Sequence, residues 1–305
     1  MPLTIDELET LKTIFVNQCK VQANLADITT QDSLFELLTS KRLNRSSRCY
    51  GQYYMKEFLE FLSASNGTQA CMSDQYLFLL VSDEYKPCVI DEEGIELAST
   101  KLRSKLIHCE DRMVIVPVTL VYEDEDTSHS NALIIDRDLR TIELFEPNGS
   151  FFYYRCSGEF SDTFIVDLFQ KYTPEFKDYE YIAPLDYCPA EGPQSHQKSN
   201  RKCQDGGYCL VFSSLYIHLR LLEPDVPRED VIDRVLSYSP SKLLEMILRY
   251  LRIWEMILPV KPSRWEFHHE FQYLMSVRPY NPCELVTKID QHLLFEKKGG
   301  WNRTS

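Results

Sequence analysis

Ten cysteines are scattered through the 305 residues without a single CxxC pair, which removes the short zinc knuckle and the thioredoxin-type redox motif. No apolar stretch reaches the roughly 18 residues that a bilayer crossing needs. The opening MPLTIDELETLKTIF has neither the basic stretch nor the long apolar run of a secretory signal. Positive charge is in short supply: 33 Lys and Arg against 46 Asp and Glu give a net charge of −13. Such a surface repels phosphate backbones and anionic headgroups, so neither nucleic acid nor membrane is expected as a partner, and a basic protein face fits better. With 10 Gly, 15 Pro and no internal repeat, collagen-like and low-complexity chains are excluded. What remains is a globular chain of about two domains, expected in the cytoplasm with its thiols buried or catalytic rather than paired.

Residues 1–110 read mostly as helix. Ile5, Leu8, Leu11, Phe15 and Val16 recur at near-helical spacing behind Thr4, and amphipathic stretches follow near 32–43 and 53–63. The run 75–81 fits helix or buried strand equally. From Met113 the texture turns to strand: MVIVPVTLVY (113–122), with Pro117 marking an edge or a bulge, then SNALIID (130–136) and TIELFEP (141–147). The acidic run 123–126 reads as solvated loop. An aromatic loop (151–154), a helix near 162–172 and a short strand near 179–184 come next. YCLVFSSLYIHLRLL (208–222) is apolar nearly all round and marks a buried helix. Helices at 228–237 and 240–257 follow, and fraying is expected beyond Lys297.

Gly206 and Gly207 lead directly into that buried helix, whose first turn carries Cys209. A free thiol has a pKa of about 8.5 and is mostly protonated at neutral pH, but a helix N-terminus lowers it through unpaired N–H groups and the dipole. The Cys209 N–H there can also face an oxyanion. Taken alone, Cys209 fits a small core residue as well. Among seven histidines, His129 opens a strand at the end of a polar loop; His196 is its main competitor, and His218 lies nine residues along the helix, too far to reach. Pairing Asp136 with Thr141 across the loop 137–140 puts Asn131 opposite Glu146 and His129 opposite Asn148. Strand alternation then gathers His129, Asn131 and Glu146 on one face. Asp136 points the other way, about 23 Å along the strand at ~3.3 Å per residue. A one-residue slip would undo this arrangement. Cys188, His196, Cys203 and Cys209 stand at gaps of 8, 7 and 6, which fit no short zinc pattern, so no metal is expected.

The ordered set HSNALIID, LFEPNG, GPQ and GGYCLVFSSLYIHLRL resembles the ubiquitin-like-protease superfamily of cysteine peptidases (clan CE), and is most similar to its members in giant DNA viruses and some intracellular bacteria. The resemblance covers roughly 113–225. That family orders its site as His, an acid or Asn, Gln, then Cys at a helix start. On this resemblance Cys209 is the nucleophile, His129 the general base and Glu146 the orienting acid. The oxyanion glutamine is Gln194, in GPQ, or Gln204, five residues before Cys209, with Gln194 favoured. Glu146 stands where many relatives have Asp, and Trp is absent after both His129 and Cys209.

The resemblance implies an α+β fold: a papain-like, ubiquitin-like-protease core with a mostly antiparallel central sheet, a buried helix carrying the cysteine, and an extra helical N-terminal region. The implied plan is a mainly helical region at 1–110 for substrate contact, a peptidase core at 111–260 and a C-terminal extension at 261–305. It further implies a deubiquitinase-like hydrolase that cuts after the C-terminal glycine of ubiquitin or a ubiquitin-like protein, without cofactor, in the cytoplasm of the cell or of a host. Two other readings stay open: acetyl transfer by the same three residues, and an inactive binder of a ubiquitin-like partner.

Overall fold

Strands that read apolar at every position, such as MVIV and LII, are covered on both faces. The computed structural model places them so, in a sheet with helices on each side. It describes residues 27–40, 109–122, 127–156, 158–196, 208–257 and 282–297, with Phe58, Leu62, residues 70–72 and 77–81 and separate positions between 5 and 20. Among these, six strands form one sheet: β1 (Ala70–Met72), β2 (Leu77–Val81), β3 (Met113–Tyr122), β4 (Thr127–Asp136), β5 (Thr141–Phe145) and β6 (Glu180–Ile182). The order is β1-β3-β4-β5-β6, with β2 also on β3. The long β3–β4 ladder and the β4–β5 hairpin are antiparallel, while β1, β2 and β6 join in parallel at the margins.

Pro117 corrects its reading as an edge or bulge marker. It lies inside an unbroken β3, opposite Ala132, with β4 on one side and β1 and β2 on the other. Among the described residues, β1 pairs up to Ile115 and β2 from Val118, so the residue without an N–H falls between the two described ladders.

The helices are α1 (Gln31–Thr39), α2 (Ser150–Cys156), α3 (Gly158–Val166), α4 (Pro184–Tyr187), α5 (Pro193–His196), α6 (Cys209–Leu222), α7 (Arg228–Leu236), α8 (Pro240–Ile257) and α9 (Pro282–Lys297). One sheet face, with Met113, Ile115, Ala132, Ile134 and Phe145, packs against α1, α6, α7 and α8. The opposite face, with Val114, Val116, Leu133, Ile135 and Leu144, is covered by Tyr153 of α2, by α3 and by the π-helical turn Asp167–Lys171. Each large side chain buried this way contributes about 1.5–3 kcal/mol.

A row on α6 fixes how that helix lies on the sheet. Arg220 Nε and Tyr216 Oη donate to Glu143 Oε1 of β5 at 3.1 and 3.0 Å, and Tyr216 stacks on Phe145 with centroids 4.1 Å apart. Ser213 Oγ donates to the Ser130 carbonyl of β4 at 3.0 Å. Residues 220, 216 and 213 are spaced as one helix face, and the next step along it is Cys209. Arg228 adds a second guanidinium to Glu143, at 3.1 Å.

Several expectations change. Residues 70–72, within the stretch read as mostly helical, form a strand, and 77–81, which fitted helix or buried strand equally, is a strand as well. The aromatic segment 151–154 is not a loop but lies within helix α2. A sixteen-residue helix, α9, occupies part of the C-terminal tail. The thiols are not all unpaired: Cys19 is bonded to Cys283 and Cys71 to Cys109. These partners are 264 and 38 residues apart, so tertiary approach rather than any short motif brings them together. Of the helix expected at 53–63, Phe58 and Leu62 are described, both helical and buried; the acidic run 123–126 and the residues beyond Lys297 lie outside the described residues. No helix among the described residues is long and apolar enough to cross a membrane.

His218, fully buried on α6, has its Nδ1 3.2 Å from Tyr250 Oη, and burial pushes its pKa down to about 3. The native state holds this ring neutral while the unfolded chain protonates it near 6.5. Its stabilising contribution is therefore complete above pH 6.5 and is lost progressively towards pH 3, at up to about 1.4 kcal/mol per pH unit. Urea unfolding of His218→Phe between pH 7 and 4 is expected to show a shallower loss of stability than the parent chain. Parallel pH profiles would refute this.

Candidate active site

The β4–β5 hairpin closes on Asp136 opposite Thr141. Asp136 itself serves the turn: its Oδ1 accepts the Asp138 and Leu139 N–H groups, and Arg112 pairs with the carboxylate. In this register the ladder ends at Ala132 opposite Phe145. Beyond that end, the His129 Nε2 and Glu146 Oε1 atoms stand 2.7 Å apart, and Asn131 Nδ2 donates to Glu146 Oε2 at 2.7 Å. The expected grouping of His129, Asn131 and Glu146 is thus present.

Where β5 stops pairing, α6 takes its place beside β4. Ser213 occupies the Ser130 carbonyl, and the Ser130 N–H lies against the Cys209 sulfur. Cys209 is hydrogen-bonded to His129 as well. With Nε2 turned to Glu146, Nδ1 is the ring nitrogen left for the sulfur. Cys209 opens α6, where the Leu210 N–H also reaches the sulfur, while the Val211 and Phe212 N–H groups are taken by the Tyr208 carbonyl.

Electrostatics sharpen the contact. Burial pushes the Cys209 thiol up, but the His129 charge, its hydrogen bond and the two main-chain N–H groups outweigh it and hold the pKa below the usual thiol range. Burial likewise pushes His129 down, and Glu146 with Cys209 reverses this, holding the imidazole well above its usual range. The favoured state is thiolate beside imidazolium. Cys188 is the internal control. It is free and 7% exposed against 5% for Cys209, yet burial together with the Glu146 and Glu143 charges pushes it up to about 12. Access is equal; charge separates the two.

Glu146 is fully buried and has three donors: His129, Asn131 and the Asn148 N–H, the last at 2.7 Å to Oε1. The Pro147–Gly149 turn is held by the segment 189–195. Gly192 N–H donates to Asn148 O, Gln194 N–H to Pro147 O, and Ser195 Oγ to Asn148 O at 2.8, 2.9 and 2.8 Å. Gly149 has a φ of +97°, and a Cβ there would meet Gly192 N at 2.4 Å. Only glycine allows this approach.

That contact brings Gln194, on α5, to the turn that follows Glu146. Its Oε1 is buried without a hydrogen-bond partner, and no hydrogen bond among the described residues joins its side chain to Cys209 or His129. Gln204, Gly206 and Gly207 lie outside the described residues. His196 is exposed, 3.7 Å from Glu191, and takes no part. Of the aromatic segment, Tyr153 is buried, Phe151 and Tyr154 are exposed, and Phe152 lies over His129 with centroids 5.2 Å apart. Sequence reasoning placed Asn131 on the right face but assigned it no task. The aromatic segment and Cys188 stood out in the sequence, but neither the contact of Phe152 with His129 nor the part played by the Ser130 main chain was foreseen.

For a metal, one group of side chains lies close enough among the described residues: Cys71, Cys109 and Asp111, with donor atoms within 4.8 Å of one another. The two sulfurs are bonded to each other, which removes them as thiolate ligands.

No protein-family model matches the chain. An ankyrin repeat protein of Acanthamoeba polyphaga mimivirus is similar to it, at 25% identity over 158 residues, which is 47% of this chain. The aligned part spans 18% of that protein's length. A structure of the SUMO protease Ulp1, with its catalytic cysteine oxidised to a sulfonic acid, overlays 74% of this chain and 93% of its own at 14% identity and a TM-score of 0.40.

Iodoacetamide is expected to modify Cys209 at pH 6–7 at least about tenfold faster than Cys188, because only the thiolate reacts. His129→Ala should abolish that preference. Peptide mapping by mass spectrometry reads both sites, and equal labelling of the two would contradict the charge state described.

Proposed function

We propose that the chain is a cysteine peptidase using Cys209 as nucleophile, His129 as general base and acid, and Glu146 as the group that orients the imidazole. The observation that carries this reading is the depressed Cys209 thiol in hydrogen-bond contact with an imidazole whose other nitrogen lies 2.7 Å from a buried carboxylate. This is the activated-nucleophile arrangement of nucleophile, base and orienting third group.

The chemistry follows from the charge state. The Cys209 thiolate attacks a carbonyl carbon and forms a C–S bond while the carbonyl π pair moves to oxygen. In this reading the Cys209 N–H is the main-chain donor to that oxygen and the Gln194 amide the side-chain donor. The oxyanion collapses, the C–N bond breaks, and the His129 imidazolium gives its proton to the leaving amine. Water then attacks the thioester, with His129 taking its proton, and the acid leaves as thiolate is restored. Glu146 holds Nε2 throughout, so the reactive nitrogen stays on the sulfur side.

The substrate class rests on the sequence resemblance: peptide or isopeptide bonds after the C-terminal glycine of ubiquitin or a ubiquitin-like protein. The helical N-terminal region and the C-terminal extension would supply further substrate contacts. A narrow site that accepts an extended C-terminal tail suits the burial of both reacting groups.

Probes carrying an electrophile at the C-terminus of ubiquitin, SUMO or NEDD8 test both parts. At least one is expected to label Cys209, and Cys209→Ala should remove labelling. Glu146→Gln should lower cleavage of the matching substrate about 10²-fold, as loss of imidazole orientation does in acid–base catalysis. Labelling that persists in Cys209→Ala would rule out the mechanism; failure of every probe with an iodoacetamide-reactive Cys209 would rule out the substrate class alone.

A further inference from the structure

Glu146 can set the His129 imidazole only if the carboxylate itself is held. On Oε1 it takes two donors, His129 Nε2 and the Asn148 N–H, both at 2.7 Å. On Oε2 the hydrogen-bond donor among the described residues is Asn131 Nδ2, again at 2.7 Å. We propose that Asn131 is a positioning residue for the reaction: its amide clamps the second oxygen of Glu146, so that the first stays on His129. This rests on the activity proposed above.

Three observations support a functional rather than a packing role. Asn131 is completely buried, one residue beyond the last β4–β5 pair though still paired with Val118 of β3, so its side chain lies where the β4–β5 ladder has ended and the site begins. Its Nδ2 also donates to the Phe145 carbonyl at 3.3 Å, which ties the amide to the end of β5. Most informative is the other end of the amide: Asn131 Oδ1 is buried and has no partner. Turning the amide over would set that oxygen against the Glu146 carboxylate, so the observed orientation is the one in which both amide hydrogens are used and the acceptor is left over. An apolar residue of the same size would remove that orphan but strip the buried Glu146 Oε2 of its donor. The amide therefore tolerates an unpartnered acceptor at one end for the sake of the donor that it gives the carboxylate at the other.

The titratable groups around Glu146 are His129 on β4, which contacts Cys209 on α6, and the Cys188 thiol after α4. Without the clamp the carboxylate is free to turn about its last torsion, and its hold on the imidazolium weakens. The Cys209 thiolate, maintained by that imidazolium, is then populated only at higher pH. Asn131→Asp acts more strongly. It replaces a donor with a second carboxyl beside Glu146, and two carboxyls in contact retain a proton between them.

The test is the pH profile of Cys209 alkylation by iodoacetamide, read by peptide mapping, beside thermal unfolding of the same samples. Asn131→Leu should shift the profile upward by about one pH unit, slowing alkylation at pH 6 about tenfold at temperatures well below its unfolding, with a melting temperature below the parent's because Glu146 Oε2 has lost its donor. Asn131→Asp should shift it at least as far, and it decides the matter if the leucine variant does not fold. A folded variant of either kind with the parent profile overturns the inference, as does a leucine variant that loses reactivity only in proportion to lost stability. An ordinary thiol profile in the parent chain would instead overturn the activated-cysteine reading itself.

Discussion

The site depends first on the seat of α6, and that seat is set by a buried carboxylate on the strand below it. Glu143 and Arg220 are each 1% exposed and paired at 3.1 Å, with Tyr216 and Arg228 on the same carboxylate. Buried ion pairs add little net stability, but they are unforgiving of misplacement, because a shift leaves a bare charge in the interior at about 3–5 kcal/mol. Sliding α6 by one turn would strand Glu143, remove the Tyr216–Phe145 stack and separate Ser213 from Ser130. The same slide would carry Cys209 about 5.4 Å from His129. One row of contacts, at 220, 216, 213 and 209, thus converts an ion pair at one end of the helix into a thiol position at the other.

The hairpin supplies the second coordinate. Its register is set at the turn, where Asp136 takes Arg112 and two main-chain N–H groups, and it propagates to the ladder's end, where Glu146 meets His129. β5 stops at Phe145, two residues before Pro147, which would face Ser130 in this register and has no N–H to give its carbonyl, and the Ser130 carbonyl and N–H are used by Ser213 and the Cys209 sulfur. Helix and hairpin therefore meet at a place that secondary structure leaves open. The Gly149–Gly192 contact keeps the chain leaving β5 folded back against 189–195, so that the Asn148 N–H stays on Glu146.

Much of this was legible because it is local. A four-residue loop between two strand-like runs leaves few registers, and pairing Asp136 with Thr141 placed His129, Asn131 and Glu146 together before any coordinates. The all-round apolar run after Tyr208 marked α6 as buried, and the helices expected at 228–237 and 240–257 lie within a residue of those found, Arg228–Leu236 and Pro240–Ile257. What escaped was non-local or aperiodic. Pro117 was misread because nothing local says that it falls between the two described ladders on that side of β3. Phe151–Tyr154 has no polar–apolar alternation to show a helix, since Phe151 and Tyr154 face solvent and Tyr153 the core. The disulfides join residues brought together only by the finished fold. Asn131 was visible in position but not in purpose, because its worth lies in which of its two amide ends has a partner.

A buried carboxylate beside two buried thiols poses a problem that the histidine solves. In a low-dielectric interior, a negative charge disfavours any further negative charge near it, and Cys188 behaves so: Glu146 and Glu143 add to burial and keep its proton on. Cys209 sits at equal depth on the other side of His129. There the same Glu146 acts through the ring, stabilising an imidazolium whose positive charge favours thiolate on the sulfur. The imidazole thus inverts the sign of the carboxylate's influence over the width of one side chain. Each pKa unit in that inversion is about 1.4 kcal/mol of preference between thiol and thiolate, and it is drawn from groups already fixed by the hairpin and α6. The lowered pKa at Cys209 is therefore a property of the register: without the pairing of Asp136 with Thr141, burial would push both thiols up, as it does Cys188.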